Sequence, residues 1–251
     1  MSLPVDLFVG IATAIYTVVG AVIGVRLLRL AHRTRGFPEL ALGLGECLLA
    51  GLVPPLFAVV QLAGNETAVR AASFGGHLAY TLGSAVMILF TWRVFREREL
   101  WARGLALAMV TAIVAAGALA MSRAFLVPEI AALREPQTAG FVLMEWISVV
   151  GFLWTALEAF HLHARLRKQA ALGLADPVVV NRILLWGAVG IAGLLAAGAP
   201  LWAVATGHNT MVHNPTRLLC ALGTLVSSFF IQLAFLPPQR YLRWVRAGRS
   251  S

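Results

Sequence analysis

Charge is what this chain has least of. Of its 251 residues 12% are charged and 59% hydrophobic, whereas a soluble globular domain is roughly 25% charged. The shortage is also uneven. Long apolar runs alternate with short arginine-rich stretches, and no gap between runs is long enough to hold a soluble domain. That excludes an ordinary water-soluble fold and is the pattern of a multi-span membrane protein. Cysteine is nearly absent as well. Cys47 and Cys220 both fall inside apolar runs, at different expected depths, which argues against a disulfide between them. The opening MSLPVDLF has no basic residue before its apolar run. It therefore lacks the charged leader of a cleavable signal peptide and reads as a retained helix.

Signatures of catalysis are missing too. None of His32, His77, His161, His163, His208 and His213 stands in an HExxH spacing. His208 and His213, five apart in one loop, make only a weak metal pattern. No pair of mid-span histidines at matched depth would hold a haem, and neither a GxSxG elbow nor a phosphate loop appears. The expectation is a protein with no catalytic residue, no metal and no cofactor. Asn65-Glu66-Thr67 fits a glycosylation sequon, which matters only in a eukaryotic secretory pathway.

What the chain does have is seven apolar runs near the ~20 residues needed to cross a bilayer as a helix. They cover residues 5–30, 38–63, 71–92, 104–121, 141–164, 183–205 and 216–236. The predicted fold is all-α, a polytopic seven-transmembrane-helix bundle forming one domain over 1–251. Pro54-Pro55 in the second run and Pro200 in the sixth predict kinks near the outer ends. No run otherwise reads as a clearly broken helix.

Charge orients the bundle. Counting the N-terminus as outside, the inner segments hold Arg26, Arg29, Arg33 and Arg35, then Arg93, Arg96, Arg98 and Arg103, then Arg165, Arg167, Lys168 and Arg182, and finally Arg240, Arg243, Arg246 and Arg249. The outer segments hold only Arg70, Arg123, Arg134 and Arg217. An excess of basic residues marks the cytoplasmic side, so the N-terminus is expected outside and the C-terminus in the cytoplasm, in a bacterial inner membrane. The net charge of +9 is spread over separate loops and forms no single patch, which argues against nucleic acid. The expected partners are the lipid bilayer and a cytoplasmic or membrane protein that meets the basic loops. After Pro237-Pro238, Tyr241, Leu242, Trp244 and Val245 interleave with Arg240, Arg243 and Arg246 at helical spacing, which predicts a short amphipathic helix at the inner headgroup level.

Two segments repeat. Pro55-Leu56-Phe57-Ala58-Val59 parallels Pro200-Leu201-Trp202-Ala203-Val204, and Leu82-Gly83-Ser84-Ala85-Val86 parallels Leu222-Gly223-Thr224-Leu225-Val226, with Phe90 matching Phe230. These suggest a three-plus-one-plus-three plan with the fourth span as linker, as parallel repeats occur in transporters; chance similarity between apolar sequences is the other explanation. Seven spans, an outer N-terminus, a kinked sixth helix and an amphipathic eighth resemble G-protein-coupled receptors and microbial rhodopsins in architecture. The repeat plan is similar to that of SWEET transporters and their PQ-loop relatives. The motifs of those families are absent. The seventh run has no lysine for retinal, the third ends Thr91-Trp92-Arg93 without the receptor Asp-Arg-Tyr, and the pairs Pro136-Gln137 and Pro238-Gln239 lie outside the spans. The alanine- and arginine-rich, lysine-poor composition resembles uncharacterised bacterial seven-transmembrane-helix membrane proteins, a resemblance that implies no particular functional residue.

Ionisable groups inside a span are costly to bury and mark candidate sites. Glu145 lies roughly 10 Å into the fifth span at ~1.5 Å per residue, with His77 at similar depth in the third and Arg217 at the mouth of the seventh. Glu145, His77 and Arg217 are expected to converge on an outward-facing ligand site walled by Trp146 and Trp202; the competing explanation is a structural ion pair with tryptophans in the interface belt. Glu46 and Ser84 are polar groups deeper in the second and third spans. Glu46 reads as a proton-coupling carboxyl or as a tie between helices. Glu158, with His161 and Arg165 at i+3 and i+7, reads as a structural group neutralised by basic neighbours that snorkel. Three functions follow from this: a receptor-like sensor acting through a cytoplasmic partner, a small-solute or proton-coupled transporter, and an accessory subunit of a membrane complex.

Overall fold

The computed structural model describes residues 3–135, 138–210 and 212–247. The Pro136-Gln137 pair and Arg249 lie outside them, as does the side chain of Arg246. Among the described residues the architecture is all-helical, without a strand. Seven helices are long and apolar enough to cross a membrane: Leu3–Thr34, Phe37–Leu62, Glu66–Phe95, Leu100–Leu126, Ala139–Ala171, Pro177–Ala205 and Asn214–Phe235. They make the chain an integral, multi-pass membrane protein, and they are numbered here as the first to seventh spans.

Most spans run further than their apolar residues alone predict, because polar residues continue and cap the helix. The Asn65 side chain accepts from the Thr67 and Ala68 amides, at 2.8 and 3.4 Å. Asp176 accepts from the Val178 amide at 2.8 Å, and Thr138 from that of Phe141 at 3.2 Å. Each satisfies amides that a helix start leaves open. The Asn65 sequon thus has a structural occupation as an N-cap. Between the first and second spans the turn is so tight that Arg35 takes a φ of 55°, a left-handed conformation normally left to glycine.

Each span packs against the next in the chain, and the first closes on the seventh. The third also meets the fifth directly, so the fourth sits outside the ring, against both. Small residues set how closely the spans approach. A Cβ on Gly223 would lie 2.8 Å from the Ala192 carbonyl oxygen, and one on Gly140 would lie 2.9 Å from the Ala120 nitrogen. Gly83 faces Leu48 and Leu49 of the second span as Gly223 faces Ala192 and Ala196 of the sixth.

The second span is not a continuous α-helix. Between Phe37–Glu46 and Val53–Leu62 it widens into a π-helical stretch, Cys47–Leu52. Pro54 and Pro55 have no N–H to return to the carbonyls four residues back. Just before them the Val53 amide reaches five residues back to the Leu48 carbonyl. The break expected at the prolines is displaced by a turn towards Glu46, and its wide geometry is one often found at functional sites.

The sparse-charge end is closed by its own arginines. Arg70 donates to the carbonyls of Ala124, Val127 and Pro128 at 2.8–3.0 Å, closing the end of the fourth span. Arg134 donates to those of Val60 and Ala63, closing the end of the second. Arg123 donates to Ala132 of the short helix Ile130–Leu133 at 2.6 Å. At the other end the C-terminal helix Gln239–Ala247 packs on the sixth span, where Asn181 donates to the Tyr241 hydroxyl at 2.7 Å. Its Arg240, Arg243 and Trp244 are exposed.

Candidate functional site

The three residues expected to converge are held apart. Glu145 is buried and accepts a hydrogen bond from the Tyr80 hydroxyl at 3.2 Å; that hydroxyl also bonds Ser148 Oγ at 2.8 Å. His77 turns the other way. Its Nδ1 is 2.7 Å from the Ser73 carbonyl oxygen, its ring meets Phe57 edge-on, and it lines a separate pocket of about 160 Å³ with Gln61, Arg123 and Arg134. Arg217 is paired with Asp6 of the first span at 2.6 Å. Trp146 is 56% exposed and Trp202 46% exposed, so neither walls an internal cavity; the Trp202 ring lies beside His213 at 5.3 Å. Equal depth in the bilayer brought these residues together in the sequence reading. Helix rotation, which depth does not report, separates them.

Glu158 is buried and structurally paired, but not by its own helix. Arg96, at the end of the third span, donates through Nε to both carboxylate oxygens at 2.9 and 2.8 Å. Trp154 Nε1 adds a longer contact at 3.4 Å, and the Arg96 guanidinium stacks over Trp101 at 5.8 Å. His161 and Arg165, the expected partners, are exposed.

The polar groups that do gather surround a cavity of about 110 Å³ at the centre of the bundle. Six spans line it, and the fourth does not. Tyr16 comes from the first span, Glu46 from the second, Ser84 and Met87 from the third, Ser148 and Thr155 from the fifth, Trp186 from the sixth, and Thr224 and Ser227 from the seventh. Some of these groups are already bonded. Thr155 bonds Thr91 at 2.7 Å, and Thr224 returns its hydroxyl to the Ala221 carbonyl at 3.0 Å. Others are not. Among the described residues, the side chains of Tyr16, Glu46, Ser84 and Ser227 make no hydrogen bond or ion pair, and the indole N–H of Trp186 is buried without an acceptor. The Glu46 carboxyl lies against Gly20 of the first span, 3.4 Å from where a Cβ would stand. Ser148 links this cavity through Tyr80 to Glu145.

Of the residues singled out in the sequence, Glu46 and Ser84 share one cavity, and Glu145 stands two hydrogen bonds from it, through Tyr80 and Ser148. Tyr16, Tyr80, Ser148 and Trp186 were missed. Their one visible signal is a hydrogen-bonding group within an apolar run, which many membrane helices carry without a site. A scan against protein-family models and searches of curated proteins and of solved structures return no match to this chain.

Proposed function

We propose that this membrane protein is a receptor-like, sensory seven-helix protein that takes a small ligand into the central cavity, with Glu46 as its principal anchor. One observation carries the reading: carboxyl, phenol and hydroxyl groups from the first, second, third and seventh spans face a single cavity without partners in the protein. Leaving such groups unpaired away from water costs a few kcal/mol each on the scale of ~1–3, so a ligand that supplies partners gains in proportion. The complementary chemistry is a small, partly apolar molecule with an amine or a comparable donor for Glu46. Met87, Phe152 and Val189 supply apolar contact.

The π-helical stretch beginning at Cys47, next to Glu46, is the element that a ligand would shift. It can return to regular α-helix by moving the chain on one side of it, and such a shift would travel along Phe37–Glu46 to the arginine-rich end. In this reading that end is cytoplasmic and its loops meet an acidic surface of a partner protein. The inferred orientation rests on sixteen basic residues against four. It gains support from the structural duties of those four, three of which hold carbonyls while the fourth pairs with Asp6.

A second reading, proton-coupled transport of a small solute, is favoured by the Glu145–Tyr80–Ser148 chain, which joins a second interior carboxyl to the cavity.

The test is a thermal-shift panel on the purified protein in detergent, with small amines, amino acids and sugars, run on wild type and on Glu46→Gln. The expected outcome is an amine that raises the wild-type midpoint, since ligand at 100 times Kd stabilises by about 2.7 kcal/mol, and that binds Glu46→Gln at least tenfold more weakly. If every compound that shifts wild type shifts Glu46→Gln equally, the anchor is wrong. The active compound then goes into proteoliposomes: no flux supports the sensor, and saturable flux selects the transporter.

A further inference from the structure

A second site is built at the arginine-rich end, away from the central cavity and independent of its function. Arg26, Arg29 and Arg33 fall on one stripe of the first span, at spacings of three and four, which repeat along one face of a helix. Arg182 approaches from the sixth span, and together the four rim a groove of about 450 Å³. The floor is apolar: Ile23, Leu27 and Leu30 of the first span, with Phe235 from the end of the seventh.

Two features mark the groove as more than a basic surface. The first is that its charges are unanswered. Among the described residues none of the four guanidiniums has an ion pair or hydrogen bond. Of the acids of this end, Glu97 pairs with Arg93, Glu158 with Arg96, and Asp176 caps its own helix, while Glu39 and Glu99 do not line the groove. Like charges one helical turn apart repel, so a stripe of three with a fourth opposite favours an anion from outside the chain. The second feature is depth. Arg26 and Arg33 are separated by about 10 Å along the helix at ~1.5 Å per residue. Below Arg26 the same span continues with exposed Val22 and Val18. A soluble anion would use the charges and leave this apolar floor uncovered. A phospholipid uses both, with its headgroup phosphate between the arginines and its acyl chain along the first span. Basic pockets between helices at the cytoplasmic surface are suited to anionic headgroups.

We propose that the groove between the first, sixth and seventh spans is a binding site for an anionic phospholipid, held by Arg26, Arg29, Arg33 and Arg182.

The experiment uses the full chain in detergent and reads lipid retention by native mass spectrometry. The competing lipids are phosphatidylglycerol and phosphatidylcholine with identical chains. Each basic residue near an anionic headgroup contributes about fivefold. Wild type is therefore expected to retain phosphatidylglycerol on the order of tenfold or more over phosphatidylcholine. The Arg26→Gln/Arg182→Gln variant is expected to lower that ratio by on the order of tenfold or more, while Arg165→Gln/Arg167→Gln, outside the groove, leaves it unchanged. The same ratio is read in Arg29→Gln/Arg33→Gln, so a folding defect in one groove pair leaves the other to decide. Equal retention of the two lipids by wild type overturns the proposal, as does a preference that neither groove variant lowers. Displacement of phosphatidylglycerol by millimolar inorganic phosphate would also overturn it, assigning the groove to a soluble anion.

Discussion

The Arg96–Glu158 pair decides more at the residue scale than any other contact away from the cavity. Its carboxylate is buried and held by both oxygens, so removing the arginine leaves a charge with only a distant indole N–H. Arg96→Met is expected to destabilise by about 3 kcal/mol, and Arg96→Met/Glu158→Leu to recover most of that, since a buried pair replaced whole by apolar groups is close to neutral. Thermal midpoints of the two variants in detergent check this; an Arg96→Met midpoint equal to wild type would remove the pair from the stability argument. The pair also marks where sequence reading stops at this scale. Glu158 was legible as a paired group because a carboxylate in an apolar run must be neutralised. Its partner was not, because neighbours at i+3 and i+7 are the ones a linear reading can see, whereas Arg96 is 62 residues away. Glu145 repeats the lesson. Its burial was legible, and its link through Tyr80 to Ser148 depends on how two helices are rotated against each other.

At the scale of the element, all seven spans were legible, because transfer of apolar side chains out of water is a property each segment carries by itself. Their ends were less so, since caps such as Asn65 and Asp176 continue a helix through residues that hydropathy discards. The π-helical stretch was legible only as a kink at Pro54-Pro55. The stretch lies where Gly20 and Gly24 of the first span face Ala50 and Cys47, an approach that no proline count reveals. Packing also separates glycines that look alike in the sequence. Gly223→Ala would press a methyl onto backbone atoms of the sixth span that cannot yield, and is expected to cost about 1–3 kcal/mol. Gly104 has nothing within 4 Å of the same position. Gly104→Ala is expected to be neutral or to gain up to about 1 kcal/mol from the helix preference of alanine. Parallel melting curves test the contrast, and equal shifts of the two midpoints would overturn it.

For the molecule as a whole, the inferred orientation makes a labelling prediction. Leu62 is 84% exposed at the sparse-charge end and Leu174 75% exposed at the arginine-rich end. In intact cells or spheroplasts a membrane-impermeant maleimide is expected to label Leu62→Cys directly, and Leu174→Cys only after permeabilisation; the reverse pattern would invert the bundle. The cavity that six spans enclose, with the fourth outside, was not legible, because a cavity is a property of how helices fail to fill space together. The arginine clasp at the sparse-charge end has, finally, a consequence in time. Arg134 closes carbonyls of Val60 and Ala63 that precede it by 74 and 71 residues. At a synthesis rate of roughly 5–20 residues per second, the second span waits on the order of 4–15 s for the side chain that finishes it. During that wait its terminal carbonyls must be served by water or the translocation machinery, so this end of the second span is not complete until the fourth span and the turn after it have been made.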